Sequence, residues 1–518
     1  QQGEKKKNRE TWENIIKTLN ERKKQSLNEG PEKYVERHRG RGKLSARQRI
    51  HLIIDEGSPF LELCPLAGYK WMDVTIIGGI GIIAGVECLI TANVPTKRGG
   101  ALNEASVKKG ERLVEIAVEN RLPVISLTET AGADLTQQFA VFHRGGASFR
   151  HIARRSKMGI PTICIVFGSS TAGGAYNPGM SDYVIMVKDH AKVFLAGPPL
   201  VYMATGEKTN DEALGGAKMH STKSGVSDYF AQTEYEGLQM AREIIQSLQW
   251  TKKTKMPGQN TQVERPFYDI QELFDVVPTN IREPFDAREV IARLVDGSCF
   301  HEFKKNYGTT LVTGFAKLTG VTIGILANNG ILFSESSLKG SQFIHLCNQR
   351  HIPLLFLQNI TGFMVGRKYE EQGMIKSGAH LINAVSNSGV PSITIVMGSS
   401  FGAGNYAMCG RAYKPRFLFS WPNSKCSVMG ESQLAGVMDM LQRSKRTMTA
   451  EESKRADQKK AMFMHRVAEQ NDVYYTSSRL IDDGIIDPRD TRIIVSICLS
   501  IIHSNTIQGD NHFGVSRM

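Results

Sequence analysis

Short, continuously apolar runs recur along this chain. They read VISL at 124–127, ICIVFG at 163–168, YVIMV at 183–187, LLFLQN at 354–359 and ITIVMG at 393–398. These runs are rich in β-branched residues and show no polar–apolar alternation, which predicts strands covered on both faces, as in a parallel sheet. Between them lie stretches whose apolar residues return every three or four positions, as at 106–120 and 376–388. That period predicts amphipathic helices. Strands alternating with helices imply crossover units around a parallel core, an α/β fold.

The pattern occurs twice. PTICIVFGSSTAGGAY at 161–176 faces PSITIVMGSSFGAGNY at 391–406, with nine of sixteen positions identical at an offset of 230. RLPVISLTETAG at 121–132 faces HIPLLFLQNITG at 351–362 at the same offset, as Lys109-Gly110 faces Lys339-Gly340. Further matches run outward with small insertions. Gly79, Gly85, Ala92 and Asn93 face Gly314, Gly320, Ala327 and Asn328, and Ala46-Arg47 with Asp55 faces Ala287-Arg288 with Asp296. Ala196-Gly197 faces Met429-Gly430, and GVSD at 225–228 is matched to GIID at 484–487. Collinear matches of this kind mark a duplicated domain. The Lys/Pro/Gly/Gln-containing segment 251–263 is its boundary, and a lead-in helix is expected before each copy. The expected organisation is a helical lead-in at 1–33, a first domain at 34–255 and a second at 256–518.

A chain of 518 residues has room for two large cores. No apolar stretch is long enough to span a membrane, and 493–502 is too short. The chain begins with Gln, which fits a trimmed precursor. Eight scattered cysteines without a CxxC pair read as reduced thiols rather than a disulfide scaffold or zinc site. The net charge of +13 comes from dispersed clusters, among them 5–7, 22–24, 37–43, 252–255 and 443–446. Either a solvated surface or attraction of a phosphate-bearing ligand such as CoA accounts for it. The absence of interleaved aromatics argues against nucleic acid.

The sharpest chemical feature is the pair of Gly-rich turns that follow matched strands, at 168–174 and 398–404. Small residues let backbone N–H groups approach a ligand and form an oxyanion hole. A tight turn without a ligand is the plainer reading, and duplication weighs against it. No P-loop lysine and no G-x-S-x-G elbow accompany either turn, so Ser169 and Ser170 read as turn-shaping. No His/Cys cluster has metal spacing, so no metal is expected. His143, His220, His345 and His380 are isolated, and Glu370-Glu371 and Asp482-Asp483 read as solvated or capping carboxylates. Oxyanion holes without a side-chain base suggest that the base comes from a cofactor or the substrate.

Long segments carry a specific resemblance: FLAGPPLVYMATGE at 194–207, LGGAKMHSTKSGVSD at 214–228, PLLFLQNITGFMVGRKYE at 353–370 and FGAGNYAMCGRAYKPRFLFSWPN at 401–423. From about Tyr34 onward the chain resembles the carboxyltransferase (β) subunits of biotin-dependent acyl-CoA carboxylases, in particular the 3-methylcrotonyl-CoA type of leucine degradation. The resemblance implies a tandem duplication of a crotonase-like (ββα superhelix) carboxyltransferase domain. It implies that acyl-CoA binds the first half, at Thr130, Ala131, Gly132, Ala133, Ala172 and Tyr176. It implies that biotin binds the second, at Thr361, Gly362, Phe363, Phe401 and Tyr406. The family's active site forms where the first half of one subunit meets the second half of another, in a β6 core of an α6β6 assembly. The implied chemistry is release of CO2 from carboxybiotin and proton abstraction from the acyl-CoA by the biotin ureido group. N–H groups of Gly173 and Gly174 would hold the thioester oxygen, and those of Ala403 and Gly404 the ureido oxygen. No ATP-grasp region and no biotinyl-lysine motif is present here. Biotin is therefore expected to arrive on a biotin-carboxylase/biotin-carrier α subunit, with no membrane or nucleic-acid partner.

Three departures bear on specificity. Thr130-Ala131-Gly132-Ala133 stands where the family usually has S-G-G-A, and Glu431-Ser432-Gln433 where the methylcrotonyl type has G-E-Q. Segment 138–157 is shorter and different in a region expected to shape the acyl pocket. Geranyl-, propionyl- or another acyl-CoA therefore stays open, as does a biotin-dependent decarboxylase. Hydratase chemistry would need a Glu near the first turn, and 171–177 has none. The mitochondrial matrix is the expected compartment, with a bacterial cytoplasm as the alternative.

Overall fold

The computed structural model describes residues 2–257, 263–430, 433, 434, 436, 437, 440 and 450–515. It divides into two compact units, Lys23–Lys253 and Gln1–Arg22 with Thr254–Met518. The expected 1–33 lead-in is therefore shared between the units. Its first part belongs with the second copy for a physical reason. Trp12, fully buried, donates from Nε1 to Val277 O (2.8 Å) and stacks on Phe274 at 5.4 Å. Asn8 Nδ2 donates to Phe274 O and Val277 O, both at 2.8 Å.

The first unit holds strands Leu61–Glu62 (β1), Ile76–Ile83 (β2), Val86–Asn93 (β3), Val124–Thr130 (β4), Thr162–Thr171 (β5), Tyr183–Val187 (β6), Lys192–Phe194 (β7) and Tyr229–Ala231 (β8). Their order is β1-β2-β3-β4-β5-β6-β8, with β7 beside the end of β5. β2 and β3 form an antiparallel hairpin, and β3 to β6 run parallel. The apolar runs are the core: Ile125, Leu127, Ile163, Ile165, Phe167 and Ile185 are each at most 1% exposed. Each such side chain contributes roughly 1.5–3 kcal/mol on burial. The helix Glu104–Glu119 starts two residues before the expected 106 because Asn103 caps it, Oδ1 accepting from Ser106 N at 2.9 Å.

The second unit repeats this plan with Phe300–Glu302 (β9), Leu311–Leu318 (β10), Val321–Asn328 (β11), Leu354–Ile360 (β12), Ser392–Phe401 (β13), Phe417–Ser420 (β14) and Lys425–Ser427 (β15). The order is β14-β13-β12-β11-β10-β9, with β15 beside the end of β13. The duplication is exact to irregularities. The β4–β5 register shifts between Thr128 and Thr130, and the β12–β13 register between Gln358 and Ile360, 230 residues on. The hairpin β2–β3 turns through Ala84 and Gly85 at φ 47° and 80°, and β10–β11 through Thr319 and Gly320 at 49° and 81°. In each turn an aspartate carboxylate, Asp55 or Asp296, accepts from both turn N–H groups.

One match needs correction. Asp228 accepts from Val184 N on β6, and Asp483 accepts from Leu418 N on β14, the strands that pair in parallel with β5 and β13. Asp483, not Asp487, is therefore the counterpart of Asp228, and the GVSD–GIID alignment is four residues out of register. Asp482 and Asp483 are also not solvated, being 1% and 0% exposed. Six cysteines are buried, Cys426 is partly exposed and Cys299 exposed, and none is joined in a disulfide. No helix among the described residues is long and apolar enough to cross a membrane.

Candidate active site

β5 runs directly into the first Gly-rich turn, a 3-10 turn Ala172–Ala175 followed by the short helix Tyr176–Met180. The chain reverses at Ala172, whose φ of 53° is left-handed. A side chain there costs about 1–2 kcal/mol, and the second copy has Gly402 at φ 58° instead. A methyl on Gly174 would lie 3.0 Å from Thr130 Cγ2 and 3.9 Å from Gly132 Cα, and one on Gly132 would lie 3.0 Å from Thr171 O. Loop 130–133 and turn 172–176 are thus in contact, which brings Thr130, Ala131, Gly132, Ala133, Ala172, Gly173, Gly174 and Tyr176 into one place.

That loop is fixed from behind. Thr130 Oγ1 donates to Gly100 O (2.7 Å) and accepts from Gly132 N (3.1 Å). Ala131 N donates to Gly99 O at 2.9 Å, and Gly132 O accepts from Leu102 N at 2.8 Å. Ser170 Oγ donates to Gly174 O at 2.9 Å, tying the turn to its own strand. Ala131, Ala133, Ala172, Gly173 and Tyr176 remain exposed, so the face is open. The N–H groups of a first helical turn have no intrahelical acceptor. Phe149, from the segment flagged at 138–157, packs its ring 5.4 Å from that of Tyr176, and its Cζ would lie 3.7 Å from a methyl on Gly173.

The second turn, helix Gly402–Ala407, is built the same way. A methyl on Gly404 would lie 2.6 Å from Ile360 Cγ1 and 3.3 Å from Gly362 Cα. Ala403 and Thr361 are exposed, and Tyr406 is 45% exposed with its ring 5.6 Å from Tyr413. Phe363 packs under Gly378 and its backbone bridges to Leu332. Phe401, at the end of β13, is 7% exposed. A buried network absent from the first copy holds this turn. Asn405 Nδ2 donates to Ser400 Oγ (2.7 Å), Ser400 Oγ donates to Gln358 Oε1 (2.6 Å), and Gln358 Nε2 donates to Met408 O (2.6 Å). Glu431 and Ser432 lie outside the described residues.

Residues 37–513 match the family model of the carboxyl transferase domain. The chain belongs to the carboxyl transferase family. It is 51% identical over 98% of its length to a probable biotin-dependent acyl-coenzyme A carboxylase beta2 subunit of Mycobacterium tuberculosis, covering 97% of that protein. It is 48% identical over 98% of its length to the mitochondrial methylcrotonoyl-CoA carboxylase beta chain of Arabidopsis thaliana, covering 88% of it. Among solved structures, the beta subunit of Pseudomonas aeruginosa geranyl-CoA carboxylase superposes with a TM-score of 0.90 at 41% identity, covering 99% of this chain and 97% of that one. The enzyme class and the tandem crotonase-like fold read from the sequence are those of this family.

In this carboxyl transferase, sequence reading missed the charges beneath the first turn. Glu129 precedes Thr130 on β4 and is 8% exposed. One carboxylate oxygen accepts from Lys43 Nζ and the other from Arg49 Nη1 (2.9 Å), while Arg49 also pairs with Glu234 at 2.9 Å. Burial alone would raise the Glu129 carboxyl, but Arg49 and Lys43 hold it below the usual range. With both oxygens engaged, Glu129 is a strut and not a base. β5 passes so close that a methyl on Gly168 would meet Glu129 Oε1 at 2.4 Å. The signal available in the sequence was a glutamate facing Asn359 at the 230 offset. His220 is held inside the fold, with Nε2 against Val193 O (2.7 Å) and Nδ1 against Ser224 Oγ (2.6 Å). Among the described residues no group of three or more His, Cys, Asp or Glu is placed to hold a metal ion.

Proposed function

We propose that this carboxyltransferase subunit acts on 3-methylcrotonyl-CoA. The observation that carries the substrate is Phe149. Its ring stands beside Gly173 and Tyr176, where it limits the length of an acyl chain leaving the turn and favours a short branched acyl over a long one such as geranyl. Relatives named for methylcrotonoyl-CoA carboxylase at 45–48% identity support the same choice.

The chemistry rests on the two turns. Gly173 and Gly174 hold the thioester oxygen with backbone N–H groups as negative charge develops on it. One such donor is typically worth about 3 kcal/mol of barrier in a dry, preorganised site. Thr130, Ala131, Gly132, Ala133, Ala172 and Tyr176 form the surface that orients the thioester. The residues of the second turn fit biotin. Gly404 brings the backbone against Gly362 where a side chain would not fit, Ala403 and Thr361 are open, and Tyr406 offers half an exposed ring. Ala403 and Gly404 N–H groups would hold the ureido oxygen, with Thr361, Gly362, Phe363 and Tyr406 around the rings. When bound, biotin supplies the activated carboxyl group. It comes on a biotin-carboxylase/biotin-carrier α subunit, in an assembly with a β6 core in which one subunit's first turn faces another's second. The mitochondrial matrix is the proposed compartment, with a bacterial cytoplasm as the alternative.

The test is a substrate panel. The purified subunit with a biotinylated partner, ATP and labelled bicarbonate is assayed on methylcrotonyl-, geranyl-, propionyl- and acetyl-CoA. The highest kcat/KM is expected for methylcrotonyl-CoA. A preference for geranyl-CoA would move the assignment to the activity named for the structural neighbour, and no labelling of any acyl-CoA would remove the carboxylase reading.

A further inference from the structure

The two strands that meet at the first Gly-rich turn are both fixed by one carboxylate. Thr128 on β4 pairs with Val166 on β5, but Thr130 pairs with Ser170. β5 therefore carries surplus residues here, with Gly168 at their middle and Glu129 opposite. Such bulges re-aim the chain beyond them, and the chain beyond this one is the turn with Gly173 and Gly174. The Glu129 carboxylate lies over Gly168, where a methyl would meet Oε1 at 2.4 Å and Cδ at 2.5 Å. Its neighbour Thr130 presents Cγ2 to Gly174. A shift of Glu129 therefore moves the turn from both sides.

The second copy makes the same clamp from neutral groups. Asn359 lies over Gly398, with Oδ1 2.6 Å from a methyl placed there, and that oxygen accepts from Ser399 N at 3.1 Å. Asn359 thus bonds the β13 bulge directly, whereas the Glu129 oxygens are engaged by Lys43 Nζ and Arg49 Nη1. Those cations are fixed in turn. Arg49, on the helix Ala46–Ile53, donates to both oxygens of Glu234 at 2.9 Å and covers the Phe167 ring at 4.3 Å. Leu44 N, next to Lys43, donates to Glu234 Oε2 at 3.2 Å. The place of Glu129 is therefore set by charge. Removing one partner of such a buried pair leaves the other uncompensated and forces the surroundings to move.

We propose that Glu129 is a positioning residue for carboxyl transfer: held between Lys43 and Arg49, its carboxylate sets the β5 bulge and thereby aims the Gly173 and Gly174 N–H groups at the thioester oxygen. This role rests on the first turn being the thioester-oxygen hole. Glu129 itself touches no reacting atom, and its effect passes through the backbone that it holds.

Glu129→Gln, Lys43→Met and the double variant, reconstituted with the biotinylated partner, test it. Glutamine keeps the shape of Glu129 and removes its charge. On the acyl-CoA that wild type carboxylates fastest, Glu129→Gln should lose about thirtyfold or more in kcat with KM within about twofold, because the hole is re-aimed while the binding face stays. Lys43→Met keeps Arg49 on the carboxylate and should lose about threefold to tenfold, so it decides the matter if Glu129→Gln does not assemble. The double variant removes one cation with the anion and leaves Arg49 to Glu234, so it should regain about tenfold over Glu129→Gln. Bicarbonate-dependent ATP turnover without acyl-CoA reports carboxybiotin decay at the second turn, and it should stay within about twofold in every variant. Amide hydrogen exchange over 168–176 should quicken about tenfold in Glu129→Gln, with 398–407 unchanged. The proposal is overturned if the variants keep wild-type kcat, if both partial activities fall together with the thermal midpoint, or if exchange over 168–176 does not change. A wild type that carboxylates no acyl-CoA refutes the thioester-oxygen hole itself, whereas unaltered variants beside an active wild type refute the positioning role alone.

Discussion

Replacing Gly174 by alanine should slow carboxyl transfer by roughly a hundredfold, and the structure says which second change restores it. The new methyl would lie 3.0 Å from Thr130 Cγ2, inside normal contact. Thr130 is 5% exposed and its hydroxyl is held at both ends, donating to Gly100 O and accepting from Gly132 N. Its methyl cannot rotate away without breaking both bonds. Overpacking of this kind costs about 1–3 kcal/mol. The softer side of the contact is the turn, so relief displaces the N–H groups of Gly173 and Gly174. Losing one well-aimed oxyanion donor is worth about 2.7 kcal/mol, or about a hundredfold in kcat. Thr130→Ser deletes Cγ2 and keeps both hydroxyl bonds, so Thr130→Ser/Gly174→Ala should regain most of the rate. Gly173→Ala is the internal control. Its methyl meets only Phe149 Cζ at 3.7 Å, and the second copy already carries Ala403 at that position. The assay is label transfer from bicarbonate to acyl-CoA by the reconstituted enzyme, with thermal midpoints to exclude unfolding. The reasoning fails if Gly174→Ala keeps a third of wild-type kcat, if the double variant is as slow as the single, or if Gly173→Ala is equally damaged.

Two other outcomes follow from named side chains. Phe149→Gly should open the space beside Gly173, raising kcat/KM for geranyl-CoA relative to methylcrotonyl-CoA by about tenfold or more; an unchanged ratio in the substrate panel would show that the ring does not bound the acyl group. Asp482 is fully buried and burial pushes its carboxyl up to about 6. The folded protein therefore holds a proton there that the unfolded chain has released, so stability should fall as pH rises from about 4 to about 6, by at most about 3 kcal/mol, and stay flat above. Asp482→Asn should flatten that slope in chemical denaturation curves measured across the window, and an identical slope in the variant would assign it elsewhere.

The features legible in the sequence are those the backbone makes. Parallel central strands must be apolar on both faces, so β4, β5, β12 and β13 announce themselves as continuous runs. A turn that works through N–H groups needs small residues, so Gly174 and Gly404 stand out, and duplication shows them twice. What stayed hidden depends on side chains that meet across long stretches of chain. Arg49 reaches Glu234 across 185 residues and Glu129 across 80, and each alone looks like an ordinary surface charge. Trp12 finds Val277 across 265 residues, a pairing of which the lead-in's own sequence gives no sign. The pair Asp482-Asp483 reads as solvated or capping in the sequence because nothing there brings Arg411 to Asp483 and Ser477 to Asp482. Where a repeat is present, the remedy is to compare its copies. Glu129 facing Asn359, and Gln358 facing Thr128, mark the positions where two turns of one design have been fixed by different chemistry, ionic in one copy and amide–hydroxyl in the other. That division fits two turns that would stabilise oxygens of different groups, and it puts the specificity of each site in the layer behind its glycines.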